Sequence, residues 1–562
     1  MLARPRGDKP RGAREWGAVE MKSNQASVAS RDEAARATLI WGLTAREAAI
    51  LAGILVVTVA IYIPSLRNGW VFDDRDEFVE NSLIHSWSFV WKSFIYDSWW
   101  FRDPHALPRS AYYRPLENVW FAANAWMFGL RPALWHLAKI VLHLVVIVLS
   151  FRVAQLLTGD AATALLTAAI FAVMPANVDP VVWASAIPEP LSTAFELGAM
   201  TFIIGRKPGW SRGLFAALLL YALAMFTHET AILFPLIVAA YVFLFENRDD
   251  GGTTKRTFSA LRACLPFVAV AIVYLCARLN ALGLDFMFGI PRAANSMISR
   301  GVIAPTINHS PAQVLMTLPV ASIVYLGVLT LPGMAGPTHL VRWVIHPQPQ
   351  MFIAAATLTI LAAVALALAW RSSNRRIYLF CAAWSLLTIA PALNLNNVLW
   401  PVDDRYLYAP AFGWSLIVAL TAVEIASIGS NARRAVGAAI AVMLVAYAIS
   451  TMQTERYWHD DVTFFGQCVE ISPNEPDYRL RLAAAMNKAN DAEGAARVLE
   501  RGTEIAPDDV HMHLKLAEQY KMMGRVVDFQ REFVKFNELS AAKVARQRAG
   551  MNPDAAKPAD AP

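Results

Sequence analysis

The chain has 562 residues, of which 56% are hydrophobic and only 17% are charged, and its mean hydropathy is +0.38. Soluble proteins carry about a quarter charged residues, so this composition excludes an ordinary soluble domain and predicts an all-α, polytopic membrane protein. The net charge of +6 comes mainly from short loops and the N-terminal arm. Membrane topology explains that distribution better than nucleic-acid binding does.

The N-terminal arm, residues 1–48, is polar and basic, and we expect it to be disordered and cytoplasmic. It is too long for the charged region of a signal peptide, and no small-residue cleavage site follows the next apolar stretch. We therefore expect the first apolar stretch to be a retained membrane anchor.

Apolar runs long enough to cross a bilayer predict eleven spans within a transmembrane domain at 49–451. The stretch 313–332 contains Pro319, and we expect it to be re-entrant or interfacial. The spans are about 49–66, 134–157, 163–181, 189–205, 213–227, 230–245, 262–279, 350–370, 376–393, 406–427 and 433–451.

Basic loop clusters orient these spans, because Lys and Arg favour the cytoplasmic side. Four clusters share that side if 313–332 does not cross: Arg206-Lys207 with Arg212, Arg248 with Lys255-Arg256, Arg371 with Arg375-Arg376, and Arg433-Arg434. The loops 67–133 and 280–349 are then external, and so is the chain after about 452. We expect a protein of the bacterial inner or plasma membrane.

The region 452–540 has a soluble, helical composition and an internal repeat. Identical residues recur 34 positions apart, which is the tetratricopeptide period, and Asn490 and Gly524 fall at the predicted turns. The pairs are Ile471 and Ile505, Pro473 and Pro507, Leu480 and Leu514, Leu482 and Leu516, and Ala483 and Ala517. Peptide capture and a structural cap are equally compatible with so short an array. The tail 541–562 is predicted to be disordered.

Asp73 and Asp74 lie just outside the first span, in the run Trp70-Val-Phe-Asp-Asp74. A carboxylate at this boundary can act as a general base that deprotonates an acceptor hydroxyl, and neighbouring negative charge would raise its pKa. The alternative is that both are solvated loop residues or helix caps.

Arg405 follows Asp403 and Asp404 at the outer end of a later span. The planar guanidinium can hold two phosphate oxygens at once, so Arg405 is a candidate phosphate ligand and Asp404 a supporting residue. The alternative is an ion pair within the protein.

Further polar interruptions supply lesser candidates. His228 and Glu229 interrupt a long apolar stretch, Glu189 follows an external loop, and Tyr113-Arg114 lies in the first loop. Ionisable groups beside spans are costly and often functional, but these can also mark tight turns or structural contacts.

Several chemistries lack their motif in this sequence. We find no Walker loop, dinucleotide fingerprint or His-Glu-x-x-His pair, and the four cysteines are scattered without metal-site or disulfide spacing. The sequence therefore indicates no resident cofactor or metal site, and assistance by a divalent ion stays open.

The ordered set of segments resembles the GT-C superfamily of polytopic glycosyltransferases, and in particular the transmembrane and tetratricopeptide-repeat O-mannosyltransferases. The likeness covers about 49–536 and ends in the attached repeats. It rests on Trp70-Val-Phe-Asp-Asp74 with Asn81, Tyr113-Arg-Pro-Leu116, Trp135-His136 with His143, Phe171-Ala-Val-Met-Pro175, His228-Glu-Thr230 and Asp404-Arg-Tyr-Leu-Tyr-Ala-Pro410.

This resemblance implies inverting transfer of one sugar, a hexose such as mannose, from a polyprenyl-phosphate donor to Ser or Thr hydroxyls of exported proteins. It implies an acidic base in the first loop, here Asp73 or Asp74, and we favour Asp73. It makes Arg405 a ligand of the donor phosphate, with Arg114, His228 and Glu229 as lesser candidates. His228 stands where the family commonly has Lys, which leaves the role at that position open.

Other functions remain open at this stage. A transferase of the same fold could act on a glycolipid or polysaccharide, and the repeat array is shorter than in many relatives, which weakens the inference of a protein acceptor. A transporter or a membrane scaffold that presents the repeats is also possible, although a transporter should show internal repeats and ionisable groups near the midplane.

Overall fold

The computed structural model describes residues 40–103, 110–205, 209–246, 252–287, 310–393 and 401–548. Contacts divide the chain into two units, 1–57 and 58–562. Residues 1–39 of the N-terminal arm, the Arg206-Lys207 pair and Arg248 lie outside the described residues, so the predicted state of that part of the arm and the full set of basic clusters stay predictions. Residues 45–48, which were predicted to be disordered with the rest of the arm, are helical.

The first unit contains a short 3-10 turn, Ile40–Gly42, and the start of the first long helix, α1 (Ala45–Tyr62). A capping box fixes the beginning of this helix. Glu47 Oε2 accepts hydrogen bonds from the backbone N–H and the hydroxyl of Thr44, and the Glu47 N–H donates to the Thr44 hydroxyl.

The second unit is helical throughout its described residues. Its membrane domain contains α2 (Trp87–Lys92), α3 (Pro115–Phe128), α4 (Pro132–Thr158), α5 (Ala161–Val173), α6 (Val178–Val182), α7 (Pro188–Ile203), α8 (Arg212–Thr227), α9 (Phe234–Phe245), α10 (Thr253–Met287), α11 (Pro311–Thr330), α12 (Pro349–Arg371), α13 (Arg375–Ile389), α14 (Tyr408–Ser427) and α15 (Ser430–Glu455).

Seven helical segments in the described residues are long and apolar enough to cross a membrane, fewer than the eleven spans predicted. They are Ala45–Arg67, Pro132–Thr158, Thr253–Leu284, Pro311–Thr330, Pro349–Arg371, Asp404–Ser427 and Ser430–Trp458. Three other predicted spans correspond to α7, α8 and α13, of 16, 16 and 15 residues, and the predicted span 230–245 corresponds to the apolar helix Glu229–Phe245. The all-α polytopic fold is as predicted, but hydropathy did not measure how long each helix runs.

The predicted span 163–181 is broken. Helix α5 and the segment Pro175–Val182 meet at a bend of 60°. Pro175 has no backbone N–H to donate, and its ring would clash with the preceding turn, so the helix cannot continue through it. The bend is followed by a short, buried irregular stretch, 183–187, which reaches the candidate site.

The segment 313–332 forms one continuous helix, α11, with Pro319 inside it, and by length and composition it could cross a membrane. Near its C-terminal end the Tyr447 hydroxyl donates to the Leu329 carbonyl, and the Tyr325 hydroxyl accepts the Asp403 N–H. Its C-terminal end therefore lies beside the start of α14 and the C-terminal part of α15. The re-entrant or interfacial placement stays a prediction.

Five helices follow the membrane domain: α16 (Asp461–Ile471), α17 (Pro476–Lys488), α18 (Ala492–Ile505), α19 (Val510–Met522) and α20 (Val526–Arg548). The predicted turns fall between α17 and α18 and between α19 and α20. Asn490 and Gly524, 34 residues apart, both adopt positive φ, of 64° and 73°. The two helix pairs share a core of Ala483, Ala495, Leu499, Met512, Leu516 and Tyr520.

The last helix runs past the boundary predicted for it. Helix α20 ends at Arg548, so residues 541–548, which were predicted to be disordered, are helical. Composition rich in Ala and Lys supports helix as well as it supports disorder. The remainder of the predicted tail lies outside the described residues.

Candidate active site

The loop after the first span is tied down around Asp74. The Asp74 carboxylate accepts hydrogen bonds from the Ser185 N–H at 2.9 Å, the Ser185 hydroxyl at 2.6 Å and the Val71 N–H at 3.1 Å. Only 1% of its surface is exposed. Burial raises the pKa of Asp74 to about 7, against the opposing effect of the Ser185 and Val71 hydrogen bonds. Asp74 is thus an anchor that joins this loop to the stretch after α6.

Asp73, the adjacent residue, is in a different environment. Its side chain is partly exposed, and it accepts no hydrogen bond from any residue in the described ranges. Burial raises the pKa of Asp73 to about 6, while the guanidinium groups of Arg405 and Arg481 oppose that rise. A carboxylate with unused acceptor oxygens and a pKa near 6 can take a proton at neutral pH.

Arg405 lies at the junction between an irregular stretch and α14. Its Nε is 3.0 Å from Asp403 Oδ2 and 3.7 Å from Glu189 Oε1. Its guanidinium carbon lies 5.1 Å from the ring centroid of Trp183 and 5.1 Å from that of Tyr406. The two rings and the two carboxylates hold the planar group while its side chain stays 24% exposed.

A cavity opens beside this arginine. Arg405 and Tyr406 line one wall, and the others include Glu189, Ser192, Glu196 and His228. Three buried atoms of this lining lack a hydrogen-bond partner in the described structure: Glu189 Oε2, His228 Nε2 and Ser192 Oγ. Buried polar atoms in native proteins are normally paired, so this set marks a place where a polar ligand would satisfy them.

The sequence-predicted His228 and Glu189 therefore lie in the same cavity as Arg405. His228 Nε2 is 3.6 Å from Glu189 Oε1. The other ring nitrogen, Nδ1, accepts a hydrogen bond from the Thr230 N–H at 3.1 Å. That acceptor role leaves Nε2 as the atom that carries a proton and points toward Glu189.

Arg114 and Glu229 form a separate, bidentate ion pair. Arg114 Nε and Nη2 donate to the two Glu229 oxygens at 2.8 and 2.7 Å. The neighbouring Tyr113 is buried, and its hydroxyl donates to the Phe94 carbonyl. These contacts commit the Nε and Nη2 fork of Arg114 to a protein carboxylate and Tyr113 to packing, so that fork is not available to hold a phosphate.

Asp404 is also committed to the protein. It accepts a hydrogen bond from the Gly336 N–H at 2.9 Å, and it lies 2.6 Å from His339 Nε2. Burial lowers the pKa of His339, but the charge and hydrogen bond of the Asp404 carboxylate outweigh that effect and raise this pKa above its ordinary value. Asp404 thus fastens the segment after α11 next to Arg405 and has no oxygen facing the cavity.

Two more acids lie buried near Asp73. Burial raises the pKa of Glu77 well above its ordinary value, and Glu117 adds to the rise. Burial likewise raises the pKa of Glu117 to about 8, against the opposing charge of Arg114. A raised pKa favours the neutral, protonated form of both carboxyls, which lowers the negative charge that a phosphate would meet.

Sequence reasoning missed four residues that shape this site. Trp183 stacks between Phe72, Arg405 and Trp458, and Ser185 holds Asp74. Asp461 and Arg481 approach the same loop from the C-terminal helices. Nothing in their local sequence signals this role, apart from the Pro175 break that frees the stretch carrying Trp183 and Ser185.

The described residues contain no group of three or more His, Cys, Asp or Glu side chains that could hold a metal ion.

Comparison with known proteins gives a consistent set of relatives. The chain is 24% identical over 494 residues to the mouse (Mus musculus) protein O-mannosyl-transferase TMTC3, which covers 84% of this chain and 53% of the relative. It is 22% identical to the human protein, over 86% of this chain and 54% of the relative. It is 23% identical to Drosophila melanogaster Tmtc3, over 86% and 58%. No family model matches the chain.

The chain thus resembles the TMTC3 protein O-mannosyl-transferases over most of its own length, in agreement with the resemblance expected from its motifs. It spans a little more than half the length of these curated relatives.

Proposed function

We propose that this protein is a membrane glycosyltransferase that moves one sugar, a hexose such as mannose, from a polyprenyl-phosphate donor to Ser or Thr hydroxyls of exported proteins. One observation carries the proposal: Asp73, a carboxylate with unused acceptor oxygens, lies close enough to Arg405 for the two charges to interact. Arg405 in turn lines a cavity that contains unsatisfied polar atoms. The similarity to proteins named O-mannosyl-transferases supports it.

In the proposed reaction Asp73 takes the proton of the acceptor hydroxyl. The hydroxyl oxygen bonds to the anomeric carbon of the sugar, and the bond from that carbon to the phosphate oxygen breaks. The electron pair leaves with the polyprenyl phosphate. Because attack and departure occur on opposite faces of the carbon, the anomeric configuration inverts.

Arg405 is proposed to neutralise the departing phosphate. Its planar fork can contact two phosphate oxygens, and a preorganised cation at the developing charge is an efficient way to lower a barrier. His228 Nε2, buried in the same cavity, is proposed as a second donor. Arg114 is left out of this role because Glu229 occupies its fork.

The proposed orientation puts the N-terminus in the cytoplasm and the site with the C-terminal helices on the external side of a bacterial inner or plasma membrane. The seven apolar helices support membrane integration. Arg371 at the end of α12 and the Arg433-Arg434 pair near the start of α15 support the cytoplasmic assignment of the opposite face.

The test is transfer in vitro. Purified protein in nanodiscs receives radiolabelled polyprenyl-phosphate hexoses and an extract of membrane and exported proteins, and the products are separated by class. We expect label on protein with the wild type and with Asp76→Asn, a neighbouring variant, and a rate of labelling about 10²- to 10⁴-fold lower with Asp73→Asn. Label on glycolipid or polysaccharide would overturn the acceptor. No transfer from any donor would favour a scaffold or transporter.

A further inference from the structure

The C-terminal helices contact the loop that carries Asp73. The Phe72 N–H donates a 2.8 Å hydrogen bond to Asp461 Oδ1 in the first turn of α16. Three residues earlier in the loop, the Gly69 N–H donates to the His459 carbonyl at 2.9 Å. Two backbone N–H groups shortly before Asp73 are therefore held by residues that lie almost 400 positions later in the chain.

The contact falls where the loop backbone is strained. Phe72 has a φ of 57°, which a bulky residue rarely adopts. Its ring packs against Phe464 and Phe465 of α16, with centroid distances of 6.2 and 5.9 Å, and against Trp183 at 5.5 Å. Strained conformations persist where surrounding contacts enforce them, and they concentrate at functional sites. Most of the contacts that hold Phe72 in this conformation come from helix α16 in the C-terminal region.

Arg481 on α17 completes this contact. Its guanidinium carbon lies 5.1 Å from the centre of the Phe72 ring, and its Nε donates to Asp477 Oδ2 at 2.7 Å. Its side chain is 33% exposed, so it borders the solvent side of the site. Stacking on Phe72 places this positive charge next to Asp73.

We propose that α16 and α17 are part of the catalytic centre, with Asp461 and Arg481 as positioning residues that hold Phe72 and the Asp73 carboxylate in their active arrangement. This inference rests on the proposed function, in which Asp73 is the base. It assigns the first C-terminal helices a role in the reaction that is separate from any binding of the acceptor by the later helix pairs.

Charge supports the geometry. The groups whose charges act on Asp73 come from several elements: Arg405 and Arg481 favour its ionised form, and so does Arg102 more weakly, while Asp76 opposes it. Asp74 and Glu77 are the adjoining acids. Loss of the Arg481 charge therefore removes one of two main stabilising effects on the ionised base and raises the pKa of Asp73.

The experiment compares position-specific variants of the full-length protein in the transfer assay. Asp461→Ala removes the acceptor for the Phe72 N–H, and we expect kcat to fall about 10- to 100-fold, the scale that small displacements of reacting groups cost. KM for the lipid donor should stay unchanged because Asp461 is not in the cavity. Asp461→Asn keeps an acceptor oxygen and should restore most of the rate.

Arg481→Gln should shift the acidic limb of the rate profile to higher pH, whereas Arg481→Lys should leave the limb in place. Two control variants separate positioning from damage to the helices. Asp477→Asn breaks the ion pair with Arg481 but leaves the positive charge of Arg481 in place. Asp509→Ala removes the helix cap that accepts the Met512 N–H in α19. Both should keep the wild-type limb.

The outcomes separate the two proposals. Wild-type rate and pH profile in Asp461→Ala and Arg481→Gln, with an inactive Asp73→Asn, would overturn the positioning role and leave the proposed function intact. Full activity of Asp73→Asn would overturn the base assignment itself. An equal loss in Asp461→Ala and Asp509→Ala would show a general effect of helix stability and would also overturn the positioning role.

Discussion

Replacing Asp74 by Asn should destabilise the protein, and replacing Asp73 by Asn should not. The Asp74 carboxylate accepts three hydrogen bonds on two oxygens and is almost fully buried. An Asn side chain has one oxygen. If that oxygen keeps the two Ser185 bonds, its amide N–H₂ faces the Val71 N–H, and a buried donor loses its partner.

A lost hydrogen bond that leaves a buried donor unsatisfied costs about 1–3 kcal/mol. We expect that decrease in the stability of Asp74→Asn. Ser185→Ala removes only the hydroxyl donor, so it should cost about 1 kcal/mol. Asp73→Asn removes no hydrogen bond within the described structure and should change stability by less than about 0.5 kcal/mol, while the loss of a general base lowers the rate about 10²- to 10⁴-fold.

The assay pairs thermal unfolding in detergent with single-turnover transfer on the same preparations. The apparent Tm should fall most in Asp74→Asn and less in Ser185→Ala. The Tm of Asp73→Asn should stay close to that of the wild type. The rate should fall most in Asp73→Asn. A variant Asp74→Asn with wild-type Tm and no transfer would show that Asp74 is the base and refute this reasoning.

Three further predictions follow from the same geometry. Because burial raises the pKa of Asp73 to about 6 and a base must be ionised, the rate should fall roughly tenfold per unit below about pH 6 and stay level above it; a level profile down to pH 5 would contradict this. Arg405→Lys keeps charge but loses the planar fork, so kcat should fall about 10- to 100-fold and more than in the exposed control Arg501→Lys, measured with saturating lipid donor. Gly524→Ala places a side chain at a φ of 73°, where its Cβ meets no other atom within 4 Å, so the cost of about 1 kcal/mol is backbone strain and should lower the Tm of unfolding; an unchanged Tm would show that the turn tolerates the substitution.

The sequence allowed some parts of this arrangement to be predicted because their signals are local. Hydropathy predicted the all-α membrane fold, and the 34-residue period predicted the turns at Asn490 and Gly524, where left-handed backbone is observed. The motif around Asp73 and the one around Arg405 named two residues that the fold brings within electrostatic range of each other.

The remaining features depend on contacts between distant segments. Ser185 reaches Asp74 across 111 residues, and Asp461 reaches Phe72 across 389. A single sequence carries no local trace of such pairs. Hydropathy also cannot separate one spanning helix from two short ones that meet at a proline, as at Pro175, which is why eleven spans were expected where seven helices meet the criteria for a full span.

The same limit applies to individual charges. Arg114 and Arg405 both lie at the edges of apolar segments, and it was mainly the family resemblance that ranked Arg405 above Arg114 as a phosphate ligand. Glu229 occupies the Arg114 fork at 2.7–2.8 Å, while Arg405 lines a cavity with unsatisfied neighbours. The contact between Arg114 and Glu229, 115 residues apart in the chain, is what distinguishes the two arginines.

The most direct test of the account is the single-turnover rate of wild type and Asp73→Asn on one acceptor peptide, identified by mass spectrometry from the labelled protein products. With the wild type we expect a Ser- or Thr-linked hexose of inverted anomeric configuration. With Asp73→Asn we expect an unchanged Tm and a rate about 10²- to 10⁴-fold lower. A rate within threefold of wild type, or retention of configuration, would contradict it.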